Sequence, residues 1–114
     1  MVSFTGGYEV GKAITEVGGY HKTVLELGGN STLIVLEDAD LDVAANLALN
    51  GSFKNSGQRC TAVKRILVHE NIEHDFLQRL EPLVAEFRFG NPTDPATQMG
   101  TVIDTTSAQR IEGR

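Results

Sequence analysis

The sequence has one cysteine, Cys60, and three histidines, His21, His69 and His74. A single thiol forms no internal disulfide, and no C-x-x-C pair or Cys/His ligand spacing sets up a zinc site. Excess positive charge is also missing: the formal net charge is −5, which removes the basic footprint expected of a partner for nucleic acid or an anionic membrane surface. No apolar run approaches the roughly eighteen residues of a membrane span, and no basic segment followed by a long apolar core opens the chain. Internal repeats and low-complexity tracts are absent. These absences lead to an expectation of a soluble protein in a reducing compartment, the cytoplasm, with no metal, no nucleic acid and no membrane among its partners. The histidines flank strands or lie on a helix surface and read as structural or solvated.

With 114 residues, 40% of them hydrophobic, the chain holds material for one small core. Val2 to Thr5 reads as a strand, Gly6-Gly7 as a turn, and Tyr8 to Val17 as a helix whose Val10, Ala13, Ile14 and Val17 recur at helical spacing. Thr23 to Leu27 reads as a second buried strand, completing a βαβ unit whose strands must be parallel. Beyond Gly28-Gly29, a buried strand over Thr32 to Leu36 precedes a helix from Leu41 to about Asn55, capped by Asp38 or Asp40. Arg65 to His69 reads as another strand. Asn71 is placed to cap a helix with Ile72, Phe76, Leu80, Leu83, Val84 and Phe87 on its core face and a kink at Pro82. Residues 91–104 read as irregular, with a further helix beginning after Asp104. Ile111-Glu112-Gly113-Arg114 matches a protease cleavage sequence used in fusion proteins and is read here as native continuation of that helix.

Two side chains carry the candidate chemistry. Cys60 sits in the polar, glycine-containing stretch Asn55-Ser56-Gly57-Gln58-Arg59-Cys60-Thr61, where a core strand would need apolar neighbours and where the adjacent Arg59 favours thiolate over thiol. Glu26 ends the apolar run before Gly28-Gly29, where a carboxylate is costly unless paired or solvated. The first is a candidate nucleophile and the second a candidate base. Gly6-Gly7, between a strand and a helix start, suits either an ordinary turn or a phosphate-binding one.

FTGG at Phe4 to Gly7, LELGG at Leu25 to Gly29, EDADLD at Glu37 to Asp42 and NSGQRCTA at Asn55 to Ala62 together resemble the aldehyde dehydrogenase superfamily, in this order and at about this spacing. Glu26 and Cys60 are separated by 34 positions (60 − 26), as are that family's base and nucleophile. The resemblance covers the whole chain and implies an α/β fold: residues 1–27 as the end of the Rossmann-like nucleotide-binding domain and residues 28–114 as the start of the catalytic domain, together a central slice of about a quarter of a family member. It further implies NAD or NADP near Gly6, Gly7, Leu27 and Gly28, Cys60 attacking an aldehyde, Glu26 activating water, and a complete protein that is a homodimer or homotetramer. An oxyanion asparagine, a ribose-binding lysine and a nicotinamide-side glutamate would lie outside this stretch, so the chain alone is expected to be inert. The pattern departs from the family at Gly7, where many members carry serine, and at Thr101, where proline is common.

Within the family, the run from Asn55 to Arg65 is most similar to members acting on anionic aldehydes, phosphonoacetaldehyde dehydrogenase and non-phosphorylating glyceraldehyde-phosphate dehydrogenase. Arg59 and Thr61 would then contact the substrate, since a guanidinium offers a fork of donors matched to phosphonate, phosphate or carboxylate. Two other classes stay open at this point. A cofactor-free cysteine hydrolase needs a histidine near Cys60, and a noncatalytic truncated or structural product needs only an ordinary thiol.

Overall fold

A computed structural model describes residues 1–113; Arg114, the last residue of the C-terminal helix reading, lies outside them. Two parallel strand pairs follow one another along the chain. Strand β1 (Val2–Thr5) pairs with β2 (Thr23–Glu26) across helix α1 (Tyr8–Gly18). Strand β3 (Ser31–Val35) pairs with β4 (Val63–Val68) across helix α2 (Leu41–Phe53), and the register slips by one residue between Ser31 and Thr32. Helix α3 (Glu73–Glu86) packs on α2, and α4 (Thr105–Glu112) closes the chain.

The second pair has the core. Val35, Ala44, Ala45, Ala48 and Phe76 are buried together, with Leu33, Ile66, Val68, Ile72, Leu80 and Leu83 packed around them. The small alanines on α2 let α3 approach closely enough for the Phe76 ring to fill the space between helices and sheet. Gly51 does the same toward β4, where an added Cβ would meet Val63 Cγ2 at 2.8 Å. Asp40 starts α2 by accepting from Asp42 N–H at 3.0 Å and Val43 N–H at 3.1 Å, satisfying donors that the first helical turn leaves unpaired.

Several expectations are corrected by the fold. Strand β2 ends at Glu26 and is mostly exposed, with Val24 47% accessible, because among the described residues only β1 and α1 pack extensively on it. The β3 and β4 strands each begin earlier than their β-branched runs suggested, at Ser31 and Val63. Asn71 caps no helix: its side chain donates to Glu37 Oε1 at 2.8 Å, while its N–H reaches His69 Nδ1 at 3.3 Å. His69 thus caps a short 3-10 turn (Glu70–Ile72), and α3 starts after it without a side-chain cap. Helix α3 continues through Pro82 for another turn before ending at Glu86, just before Phe87, the last residue of the expected core face, whose ring lies 5.8 Å from that of Phe53.

Candidate functional site

Helix α2 delivers the chain into a 3-10 turn (Lys54–Gly57) and then the Cys60 loop. Asn55, Ser56 and Gly57 take left-handed φ values of 57°, 55° and 67° in succession. Side chains other than glycine and asparagine resist that region, and consecutive residues there mark a backbone held by its surroundings. The surroundings are identifiable. Lys64 Nζ donates to the Gly57 carbonyl at 2.6 Å, and Arg59 Nη2 donates to Gly51 O at 3.1 Å and Asn50 O at 3.3 Å. The Gly51 and Asn50 carbonyls lie at the C-terminal end of α2, where a cation is favoured both as a donor and by the helix dipole. Arg59 Nε is buried without a partner among the described residues.

Cys60 is a free, exposed thiol. It opens on a cleft of about 720 Å³ lined also by the β1 and β2 ends and by α4. Glu26, Leu27, Gly28 and Gly6 line this cleft together with Arg59 and Cys60, so six of the eight residues singled out from sequence meet there. Gly7 and Thr61 lie outside its lining. Gly29 brings the two halves into register: a Cβ there would collide with the Cys60 carbonyl oxygen, so the residue after the β2 turn must be glycine for the Glu26 segment and the thiol loop to sit this close. Glu26 is exposed on the cleft, which leaves its carboxylate solvated at the end of the apolar run. Leu27 turns the other way and packs on Gly11 of α1, where an added Cβ would lie 2.6 Å from Leu27 Cδ2.

Sequence reasoning missed α4. Ser107, Arg110 and Ile111 of α4 face the cleft, as do Gln58 and Lys64. Nothing in local spacing marks α4, because it is tied to the site by side-chain bonds from the Cys60 loop to residues 100–103. Asp104 caps this helix, accepting from Ser107 N–H at 2.7 Å. That backbone bond, with a further contribution from the Ser107 hydroxyl and the positive charge of Arg110, holds the Asp104 carboxyl below its ordinary pKa. No group of three or more metal-ligating side chains occurs among the described residues, and none of their helices is long and apolar enough to cross a membrane.

The β1–α1 turn is open at Gly7. Gly7 is the N-cap of α1 and makes no side-chain cap bond, and a Cβ at that position would meet nothing within 4 Å. The first-turn N–H groups of an 11-residue helix are thus left to an external acceptor.

An exposed thiol and a carboxylate line one cleft, beside paired parallel-strand units with a glycine turn at its edge. The profile of the aldehyde dehydrogenase family matches residues 1–114, and the chain belongs to that family. It is 44% identical over 112 residues to the 3-sulfolactaldehyde dehydrogenase of Priestia megaterium, covering 98% of this chain and 24% of that protein. To the lactaldehyde dehydrogenase of Methanococcus aeolicus it is 40% identical over 111 residues, covering 97% of this chain and 24% of the relative. The fold matches the NAD+-bound crystal structure of betaine aldehyde dehydrogenase from Staphylococcus aureus with a TM-score of 0.93 and 42% identity, over 98% of this chain and 23% of that one. In related crystals of that enzyme a cysteine carries β-mercaptoethanol. The chain therefore spans about a quarter of the length of the relatives it matches.

Proposed function

We propose that the complete protein is an NAD- or NADP-dependent aldehyde dehydrogenase that oxidises a small, anionic aldehyde to the acid. Cys60 is its nucleophile and Glu26 its deacylation base. The observation that carries this reading is that Cys60 and Glu26, 34 positions apart (60 − 26) in sequence, open on one cleft. Cys60 Sγ adds to the aldehyde carbon to give a thiohemiacetal, a step suited to a thiolate in a polar, cation-flanked loop. Bound NAD or NADP supplies the hydride acceptor that takes this adduct to the thioester oxidation level. Glu26 then takes a proton from water attacking the thioester, and the acid leaves as Cys60 is regenerated. Gly6, Gly7, Leu27 and Gly28 would hold the cofactor, residues 1–27 belonging to the nucleotide-binding domain and 28–114 to the catalytic one.

The anionic substrate class rests on charge. Arg59, Lys64 and Arg110 line the cleft against the single carboxylate of Glu26. Relatives named for 3-sulfolactaldehyde and sulfoacetaldehyde, at 44% and 41% identity, support a sulfonate, phosphonate, phosphate or carboxylate as the charged group. Arg59 keeps one face of its guanidinium on α2, so its share in substrate binding falls to the remaining donors, with Thr61 beside it. On the family resemblance alone, the complete protein is a cytoplasmic homodimer or homotetramer and the 114-residue chain by itself is inactive.

The test is Glu26→Gln and Cys60→Ala in the complete enzyme. Cys60→Ala should abolish oxidation while cofactor binding persists. Glu26→Gln should leave a burst of reduced cofactor followed by a slow steady state, because the amide accepts no proton from water. Equal loss of burst and steady state in Glu26→Gln would overturn its role as base.

A further inference from the structure

Helix α4 lines the same cleft as the Cys60 loop, although the two are more than forty positions apart in sequence. Residues 100–103 lead directly into α4, and four side-chain contacts tie them to the loop from across 43 to 45 positions. Ser56 Oγ donates to Gly100 O at 2.9 Å and lies 3.4 Å from Thr101 O. Gln58, two residues before the thiol, supplies the others: its Oε1 accepts from Ile103 N–H at 2.8 Å, and its Nε2 donates to Thr101 O at 3.4 Å and to Asn55 O at 3.3 Å. One carboxamide thus serves a donor and two acceptors, and only one orientation of the amide does so, since a flip sets an NH2 against the Ile103 N–H. The Asn55 carbonyl also accepts from the Gln58 backbone N–H at 3.0 Å, so the side chain locks the left-handed turn and the distant segment together.

We propose that Gln58 is a positioning residue that holds the Cys60 loop in register with the α4 wall, and so fixes the width of the cleft where the thiol meets its substrate. It touches no reacting atom itself. The effect on turnover rests on Cys60 being the nucleophile; the effect on the thiol's surroundings does not. Asp104 continues the same coupling, since its cap fixes the first turn of the helix whose Ser107 and Arg110 line the cleft with Cys60.

The carboxamide has a discriminating replacement. In Gln58→Glu the introduced carboxylate still accepts from Ile103 N–H but faces the Thr101 and Asn55 carbonyls with no proton to donate. As pH falls and the carboxyl protonates, one donor returns. The experiment compares the complete enzyme with its Gln58→Glu and Gln58→Ala variants, reading kcat, KM and the rate at which iodoacetamide alkylates Cys60, each per titrated thiol and across pH. Misplacing a reacting group by about an ångström costs on the order of a hundredfold, so Gln58→Ala should lower kcat/KM by about ten- to a hundredfold at unchanged cofactor affinity and alter the alkylation rate. For Gln58→Glu, kcat/KM and the alkylation rate relative to the parent should recover as pH is lowered. A role in folding alone would lower the melting temperature and leave both quantities unchanged per titrated thiol; that result, in Gln58→Glu, would overturn the proposal. If Cys60→Ala keeps its activity, the nucleophile assignment falls, and the alkylation rates still decide the coupling.

Discussion

The two parallel-strand units of this chain have the same topology and different interiors. In the unit built on β3, α2 and β4, Val35 is 2% accessible, Ala45 0% and Phe76 1%. In the unit built on β1, α1 and β2 the only buried residue is Gly11, and Val17 on α1 is 89% exposed. Both helices carry apolar positions at helical spacing, so periodicity does not separate them. The difference is a third layer. Helix α3 covers α2 and supplies Phe76, whereas nothing among the described residues covers α1. An amphipathic pattern specifies an element and the face it will bury; burial itself needs a partner.

Deleting a side chain from each unit should show the contrast most strongly. In the complete protein Phe76→Ala removes a fully buried ring from between α2, α3 and the sheet, and should cost about 3–5 kcal/mol, measured by urea unfolding followed by far-UV circular dichroism. Val17→Ala in the isolated 114-residue chain should change stability by less than about 0.5 kcal/mol, as for an exposed position. A Val17→Ala effect that grows severalfold in the complete protein would show that the outer face of α1 is covered there.

Next in size is Gly29→Ala, which attacks the junction between the units rather than either interior. The new methyl collides with the Cys60 carbonyl, a backbone atom that cannot rotate away, so the loop and the Glu26 segment must separate. Overpacking of this kind costs typically 1–3 kcal/mol, or about that range here. Loss of turnover should exceed the loss of stability, which a melting curve and kcat on the same sample will compare.

Asp40→Ala should cost about 1 kcal/mol, the usual worth of an N-cap, and should be felt in the second unit alone. Hydrogen exchange at the Asp42 and Val43 amides, the two that Asp40 accepts from, measures it directly.

Much of this arrangement was legible from residue types, and the exceptions have a common cause. Val2 to Thr5, the α1 helix and the Asp40 cap were readable because each depends on neighbours within a few positions. The motif resemblance singled out Glu26 and Cys60, which both line the cleft. Asn71 was misread as a cap because its competitor, His69, offers an imidazole acceptor that propensity does not anticipate, and because Glu37 draws its side chain away. Pro82 lies inside α3, and the helix runs on to Glu86. Gln58, Ser56 and α4 were illegible as site residues because their bonds span more than forty positions. Hydrogen bonds between an amide side chain and distant backbone leave no periodic trace.

The smallest expected effect is the titration of Asp104, and it sharpens the comparison by addressing α4, which belongs to neither strand unit. The carboxyl accepts from the Ser107 N–H, and this bond, then the Ser107 hydroxyl and Arg110, favour its charged form in the folded state. Its folded pKa therefore lies below its unfolded value of about 3.9. The folded state binds fewer protons than the unfolded one over that interval, so stability rises with pH there. The contribution is complete above the unfolded value and is lost as pH falls through the folded one. Because Asp104 is fully exposed, the loss should appear as fraying of α4 rather than as global unfolding. Asp104→Asn keeps a side-chain oxygen for the Ser107 N–H but removes the charge, so it should weaken the cap modestly at neutral pH and abolish its acid dependence. Amide exchange of Ser107 between pH 5 and pH 2, corrected for the intrinsic rate, should show protection falling with acid in the parent and flat in the variant. Equal acid dependence in both would mean that α4 is held by the Gln58 and Ser56 tethers alone.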